Sequence, residues 1–145
     1  MNGNKIYIYI HAIWATKNRE PVLVKNIRTL MFKHIKEDCE AKGMQVVIVN
    51  GIEDHVHCLF KMLATQNVAE IVKQIKGGSS HWLNEMKFLK EPFQWQDGYA
   101  AYSVSPSGVE KVIDYIFKQE QHHSNKTFEQ EMEALNVIDK IAQTG

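Results

Sequence analysis

Two histidines separated by a single residue, His55 and His57, are the first side chains whose types and spacing suggest chemistry. On a β-strand, residues two apart point to the same face with Cα atoms roughly 7 Å apart, so both imidazoles can bind one metal ion. Val56, Cys58 and Phe60 alternate with them and predict an apolar opposite face that anchors the strand in the core. Because paired histidines also occupy ordinary structural positions, a metal site requires a further ligand from elsewhere in the chain.

A tyrosine and a glutamine four residues apart, Tyr115 and Gln119, form the second candidate group. A helix is predicted over residues 107–123, with Ser107 and Glu110 as a capping box at its start. At about 100° per residue, Tyr115 and Gln119 lie within roughly 40° of each other. They fall outside the predicted apolar arc of Val109, Val112, Ile113, Ile116 and Phe117, on the side of Lys111, Lys118 and His122. The helix would present a phenol and an amide oxygen together, whereas the structural alternative is a surface tyrosine beside a solvated glutamine.

The elements that must position these residues follow from hydrophobic periodicity. Strands are predicted at 5–15, 44–49, 54–61 and 99–104, and helices at 25–42, 67–89 and 107–123, with the second helix interrupted or bent at Gly77-Gly78. The resulting order β-α-β-β-α-β-α predicts an α+β fold. We expect a ferredoxin-like antiparallel four-stranded sheet with two helices on one face, the other face free, and a C-terminal helix that carries Tyr115.

The length and composition predict one intracellular globular domain. The chain has 145 residues, the size of a single domain, so we expect a core at about 5–123 and an acidic tail or helix at 124–145. Its apolar runs fall short of the roughly 18 residues that span a bilayer. Cys39 and Cys58 lack zinc-site spacing and are predicted to be buried apolar residues. Seventeen basic and seventeen acidic residues give no net charge, which argues against non-specific coating of duplex DNA.

The combined motifs resemble a known family. His-hydrophobic-His in the strand DHVHCLF and the Tyr-x-x-x-Gln spacing of YIFKQ resemble the markers of the insertion-sequence-200-like transposases. These are the single-tyrosine branch of the HUH nucleases and include the REP-associated tyrosine transposases. The stretches HAIWATKNREP, IVKQIKGGSSHWLN and FQWQDGYAAYSVSPS resemble further parts of the same family. Together the resemblance covers about residues 5–133.

The resemblance implies an activity and a set of site residues. His55, His57 and Gln119 would bind a divalent ion, Mg²⁺ or Mn²⁺, and Tyr115 would attack single-stranded DNA to form a 5′-phosphotyrosine. The enzyme would then rejoin DNA ends, as a transposase of a mobile element or a domesticated relative. It would act in the cytoplasm, associated with the nucleoid when bound to DNA.

The resemblance also implies partners. We expect single-stranded DNA with hairpin-containing element ends, and a homodimer in which the tyrosine helix can exchange about a hinge at 105–108. Candidate DNA contacts are the phosphate-binding side chains Lys17, Arg19, Lys73 and Lys76 and the stacking rings Tyr7, Tyr9 and His11. Solvated lysines and packed aromatic rings are the structural alternatives at these positions.

Two other classes of protein remain open. A non-catalytic binder of single-stranded nucleic acid could use the same type of sheet, although the aromatic signature of ferredoxin-like RNA binders is absent. A replication initiator or relaxase shares the histidine pair. Those proteins usually have extra domains and often a third histidine.

Overall fold

The structure is a computed structural model that describes residues 3–122, 127, 129–133 and 135. Four strands alternate with helices in the predicted order. The strands are β1 (Ile8–Ala15), β2 (Gln45–Gly51), β3 (His55–Met62) and β4 (Ala100–Val104). The helices are α1 (Lys25–Ala41), α2 (Val68–Met86), α3 (Val109–Phe117) and α4 (Gln119–His122), with short 3₁₀ turns at Lys17–Arg19 and Pro106–Gly108.

The four strands form one antiparallel sheet in the order β2-β3-β1-β4. This is the order of a ferredoxin-like βαββαβ fold, so the predicted α+β class is confirmed. Strand β3 lies between β2 and β1, and both of its edges are therefore hydrogen-bonded within the sheet. The strand that carries His55 and His57 is thus held on two sides.

The main core lies between one face of the sheet and helices α1 and α2. Ile10, Ala12 and Trp14 of β1 and the apolar alternates of β3 are buried against residues of both helices. The helix residues in this cluster are Met31, Ile35, Cys39, Ile71, Val72, Ile75 and Leu83. Cys39 and Cys58 are buried without a disulfide, as predicted. Period-two alternation therefore leaves the histidines on the face away from this core.

Helix α2 is regular through its two glycines, so the predicted interruption there is wrong. Asn67 caps the helix by accepting a hydrogen bond from the backbone N–H of Glu70 at 2.9 Å. A Cβ at position 78 would lie 3.1 Å from Oδ2 of Asp38 on α1. Gly78 thus permits a close approach of the two helices, and burial of the apolar side of α2 outweighs the low helix propensity of glycine.

The second face of the sheet is partly covered, which corrects the prediction of a free face. Helix α3 packs against β2 and β3. Ile116 of α3 is fully buried, as are Ile13 of β1 and Leu59 of β3 on this face of the sheet. The sequence pattern predicted apolar residues on α3. It did not predict the direction in which the helix would run after the turn that follows β4. That direction depends on the 3₁₀ turn at Pro106–Gly108, the proposed hinge region.

Three local features of the tyrosine helix differ from the sequence prediction. Helix α3 begins at Val109 after Gly108, with no side-chain cap, so Ser107 does not form the predicted capping box. Phe117 is 72% exposed although it belongs to the predicted apolar arc. The helix ends at Phe117 and α4 begins at Gln119, because the backbone at Lys118 departs from helical geometry with ψ near +23°. A wheel drawn for one straight helix therefore misplaces residues on either side of Lys118.

The tail is described in part. Residues 129–133 and 135 are helical, in agreement with a helix-prone tail, residue 127 is in neither a helix nor a strand, and the rest of the predicted tail lies outside the described residues. Over the part of the chain that is described, the helices are too short or too polar to traverse a bilayer.

Candidate active site

The two histidines of β3 converge on one carboxylate. His55 and His57 are both fully buried, and their ring centroids lie 5.2 Å apart. Nε2 of His57 is 2.8 Å and Nε2 of His55 is 3.3 Å from the carboxylate oxygens of Glu131. The two imidazoles therefore point their distal nitrogens at the same small volume, as a shared ion would require.

A tight turn places His55 at the start of its strand. Gly51 pairs with Val56, and a Cβ at position 51 would lie 2.2 Å from the carbonyl oxygen of His55. Glycine is therefore required for this close approach of backbones. The turn also places Asp54 beside His55, with Oδ1 2.8 Å from Nδ1 of the imidazole.

The surroundings of His55 change its protonation. Burial alone lowers the pKa of a histidine, but the hydrogen bonds with Asp54 and Glu131 outweigh it and raise the pKa of His55 above its ordinary 6.5. An imidazolium here donates from both ring nitrogens to carboxylates. A metal ion at Nε2 would have to displace one of those protons.

Tyr115 lies directly beside the histidines. Its hydroxyl donates a short hydrogen bond to Oε1 of Glu131, and its ring centroid is 5.7 Å from that of His57. Burial, and then the Glu131 carboxylate, raise the pKa of the Tyr115 phenol well above its ordinary value of 10. The phenol therefore keeps its proton in this arrangement.

Gln119 completes the group although it follows the break at Lys118. It is fully buried, and its side-chain N–H donates to Oε1 of Glu131 at 3.3 Å. The amide oxygen of Gln119 is buried and has no hydrogen-bond partner among the residues that the structure describes. A buried acceptor without a partner is costly unless another group, such as a cation, binds it. The structure thus brings together all four side chains singled out from the sequence.

Glu131 is the residue that sequence reasoning missed. It is 3% exposed, and it contacts Tyr115, Gln119 and both histidines of β3. In the sequence it is one of several acidic residues of the tail, and no local periodicity distinguishes it. Its position beside the histidines brings together segments that are far apart in the chain. A buried acid is expected only where cations or donors surround it, and that environment is a tertiary property.

The donor set fits a divalent cation. Two imidazole nitrogens and the Glu131 carboxylate offer ligand atoms within 4.8 Å of one another, so His55, His57 and Glu131 could hold a metal ion. The unpartnered amide oxygen of Gln119 adds a second oxygen donor. The carboxylate and amide oxygens suit Mg²⁺ and Mn²⁺, and the two imidazole nitrogens suit transition-metal ions.

The residues proposed to contact DNA are more dispersed. Lys17 donates to Oε1 of Gln94 at 2.9 Å, and Arg19 forms an ion pair with Glu129. Lys73 is exposed on α2. Lys76 donates to the backbone carbonyls of the loop at 96 and 98, at 2.8 and 3.0 Å, and burial lowers its pKa. Two of the three ammonium donors of Lys76 therefore hold that loop, and its role as a DNA contact stays a prediction.

The aromatic candidates also differ in exposure. Tyr9 is half-buried, and Tyr7 is exposed with the ammonium of Lys61 4.7 Å from its ring centroid. His11 is only 4% exposed and lies 2.8 Å from His57, Nε2 to Nδ1. Its ring therefore faces the histidine site and not a surface on which a base could stack.

Comparison with known proteins supplies the family. The sequence profile described as "Transposase IS200 like" matches residues 4–119, which include β1 to α3 and the first residue of α4. The chain belongs to the IS200-like transposase family. Membership makes it an enzyme of DNA cleavage and transfer in transposition. The matched segment contains His55, His57, Tyr115 and Gln119 but ends before Glu131.

Individual members of the family agree in sequence and fold. The chain is 27% identical over 127 residues to the ISDra2 transposase TnpA of Deinococcus radiodurans, covering 82% of this chain and 91% of that protein. A crystal structure assigned to a transposase of the same species superposes with a TM-score of 0.66 at 26% identity, covering 82% of this chain and 95% of that one. A REP-associated tyrosine transposase bound to a REP hairpin has the same fold, with a TM-score of 0.62 at 16% identity over 85% and 74% of the two chains.

Proposed function

We propose that this IS200-like transposase cleaves and rejoins single-stranded DNA through a 5′-phosphotyrosine at Tyr115, with a divalent metal ion held by His55, His57 and Gln119. One observation carries the proposal. The Tyr115 hydroxyl, the Gln119 amide and the Nε2 atoms of both histidines all meet at a single buried carboxylate. They come from strand β3 and from helices α3 and α4, which are far from that strand in the chain.

The metal ligands would be the side chains that surround this carboxylate. His55 and His57 supply imidazole nitrogens, Gln119 supplies its amide oxygen, and Glu131 adds a carboxylate oxygen. Mg²⁺ or Mn²⁺ bound there would neutralise the charge that develops on a scissile phosphate and polarise its oxygens. Burial of the ligands strengthens that effect, since water does not screen it.

Tyr115 would act as the nucleophile. Its oxygen forms a new bond to phosphorus while the bond from phosphorus to the 3′ oxygen breaks, which leaves the 5′ phosphate on the tyrosine and releases a 3′-OH. The phenolic proton is already directed at Oε1 of Glu131, so this carboxylate can accept the proton as the attack proceeds. The resulting carboxyl group can then donate the proton to the departing 3′ oxygen. Attack by another 3′-OH on the phosphotyrosine reverses these steps and joins new ends.

The proposed substrate is single-stranded DNA that contains a hairpin, and the proposed assembly is a homodimer acting in the cytoplasm. Support for the hairpin comes from the fold shared with the transposase that was solved bound to a REP hairpin. The alternative, a non-catalytic single-strand binder, needs an accessible sheet face. Such a binder does not require a tyrosine, a glutamine and two histidines to meet at one carboxylate, and their convergence favours the enzyme.

The test is formation of a covalent protein–DNA adduct. Wild-type protein incubated with Mg²⁺ and a single-stranded hairpin oligonucleotide is expected to give an adduct on a denaturing gel, and EDTA should prevent it. Tyr115→Phe should abolish the adduct because it removes only the attacking oxygen. Tyr99→Phe, at an exposed tyrosine before β4, is the matched control and should react like the wild type. An adduct that persists in Tyr115→Phe would falsify the assignment.

A further inference from the structure

We propose that His11 is a positioning residue for the metal site. It holds the ring of His57 so that the Nε2 lone pair points at the ion, and it allows His57 to change tautomer when the ion binds. The inference rests on the proposed metal site. It concerns a residue outside the ligand set, on a different strand. The relevant contact is the 2.8 Å hydrogen bond between Nε2 of His11 and Nδ1 of His57.

The sheet register creates this contact. His11 of β1 is opposite Leu59 of β3, and His57 is opposite Ile13, so the two histidines are diagonal neighbours on the same face. His11 is buried between His57 and two tyrosines, with its ring centroid 6.1 Å from Tyr115 and 6.3 Å from Tyr102. The ring is therefore fixed by packing and cannot turn away from His57.

The requirements of metal binding give the bond its role. A histidine that binds a metal ion through Nε2 carries its hydrogen on Nδ1 and donates it to a neighbouring acceptor, which fixes the orientation of the ring. For His55 that neighbour is the Asp54 carboxylate. For His57 it is Nε2 of His11, the group within hydrogen-bond distance of Nδ1.

His11 accepts that hydrogen through an Nε2 atom that carries no proton, and this atom lies 2.8 Å from Nδ1 of His57 on a ring that is only 4% exposed. A neutral imidazole offers one acceptor nitrogen and one donor nitrogen. His11 therefore meets the requirement without adding positive charge beside a cation site.

The hydrogen bond between His11 and His57 can also form when His57 is neutral and no metal ion is bound. Its Nε2 lies 2.8 Å from Oε1 of Glu131 in an ion-pair contact, and a nitrogen this close to a carboxylate oxygen carries a hydrogen, so Nδ1 must accept. His11 then donates from Nε2. With an ion bound, His57 would give up the hydrogen on Nε2 and take one on Nδ1 from Nε2 of His11, and His11 would take up a hydrogen on Nδ1 from solvent. The pair would thus lose one hydrogen on the side of Glu131 and gain one on the far side of His11, with no net release.

This reversal explains the choice of side chain. Lysine and arginine only donate, and a carboxylate only accepts. None of them could donate to His57 without a metal ion and accept from it with the ion bound. Glutamine can do both, because its amide offers an acceptor oxygen and a donor nitrogen. Phenylalanine fills a similar volume and can do neither. The pair His11→Gln and His11→Phe therefore separates hydrogen bonding from packing.

The experiment measures Mn²⁺ affinity by electron paramagnetic resonance in the full-length protein. His11→Phe should weaken binding about 10- to 100-fold, as loss of a partner behind a metal ligand does, and His11→Gln should restore most of it. Nitrogen-15 NMR of the wild type adds a readout that needs no variant. A diamagnetic ion such as Mg²⁺ should move the hydrogen of His57 to Nδ1 and that of His11 from Nε2 to Nδ1.

The outcomes separate this inference from the proposed function. If the wild type binds Mn²⁺ and His11→Phe binds it equally well, His11 has no positioning role and the proposed metal site stands. Unchanged tautomers in the wild type on saturation with Mg²⁺ would also overturn the inference. If the wild type binds no Mn²⁺, the proposed metal site and the role of His11 both fail.

Discussion

The two histidines of the site have different partners behind them. His55 donates to a carboxylate, Asp54, whereas His57 is bonded to a neutral imidazole, His11. A carboxylate makes its histidine more basic, and a neutral partner adds no such charge. The pKa of His55 is accordingly raised, and its proton competes with a metal ion for the imidazole.

This difference predicts a pH dependence of metal binding. The pKa of His55 is raised above 6.5, so His55 becomes protonated as the pH falls through that raised value, and a protonated imidazole cannot bind a metal. We expect Mn²⁺ affinity to decrease with falling pH, by up to about tenfold per pH unit below that pKa. In Asp54→Asn one cause of the raised pKa is removed, and the decrease should begin at a lower pH.

The matched control is an exposed histidine that also has an acidic neighbour. His81 lies 3.1 Å from Glu85 on α2, far along the chain from the site, and His81→Gln should leave the pH profile of Mn²⁺ affinity unchanged. Titrations of Mn²⁺ from pH 5 to 8 would measure all three proteins. A profile for Asp54→Asn that matches the wild type would show that Asp54 does not set the basicity of His55.

At the scale of elements, the tyrosine helix is fastened to the sheet near its end. Asn50 of β2 donates from Nδ2 to the carbonyls of Ile116 and Phe117, at 3.0 and 3.1 Å. The last carbonyls of a helix have no partners within it, so this amide satisfies groups that the break at Lys118 would otherwise expose. The contact sets the height of Tyr115 and Gln119 above the histidines.

Asn50→Ala should therefore slow DNA cleavage more than it weakens metal binding. Loss of the two hydrogen bonds is expected to cost about 1–2 kcal/mol locally, because the helix end gains freedom. The rate of adduct formation should fall several-fold while the histidine pair stays in place. Adduct formation under single-turnover conditions and Mn²⁺ affinity would measure the two effects.

Asn84→Ala provides the comparison, since Asn84 also makes two hydrogen bonds to backbone, with N–H and C=O of Phe93. We expect a similar loss of stability on denaturant unfolding and an adduct rate close to the wild type. Equal slowing in both variants would mean that Asn50 acts on overall stability and not on the position of the tyrosine helix.

At the scale of the whole molecule, local patterns predicted the elements and long-range geometry decided the site. Period-two alternation located β3 and assigned its two faces correctly. Helical spacing placed Tyr115 and Gln119 on one side, and the structure brings both to the histidines despite the break at Lys118. These features depend on neighbours within about four residues, which a sequence displays directly.

The features that the sequence did not reveal depend on where distant segments meet. The burial of Glu131, the covered second face and the exposure of Phe117 all follow from the path of the chain after β4 and after α4. The intramolecular contacts of Arg19 and Lys76 are of the same kind. No periodicity encodes them, because each results from the packing of two elements that are separate in the chain.

The central position of β3 has a consequence for heating. Local opening costs least where few neighbours hold a segment, and β3 is bonded along both edges whereas α3 lies on the outside of the sheet. As the temperature rises, α3 should detach from the sheet and displace Tyr115 before β3 unfolds and its two histidines separate. We expect DNA-joining activity to disappear several degrees below the temperature at which the amide hydrogens of β3 lose their protection from exchange, with recovery on cooling; simultaneous loss would show that helix and sheet melt as one unit.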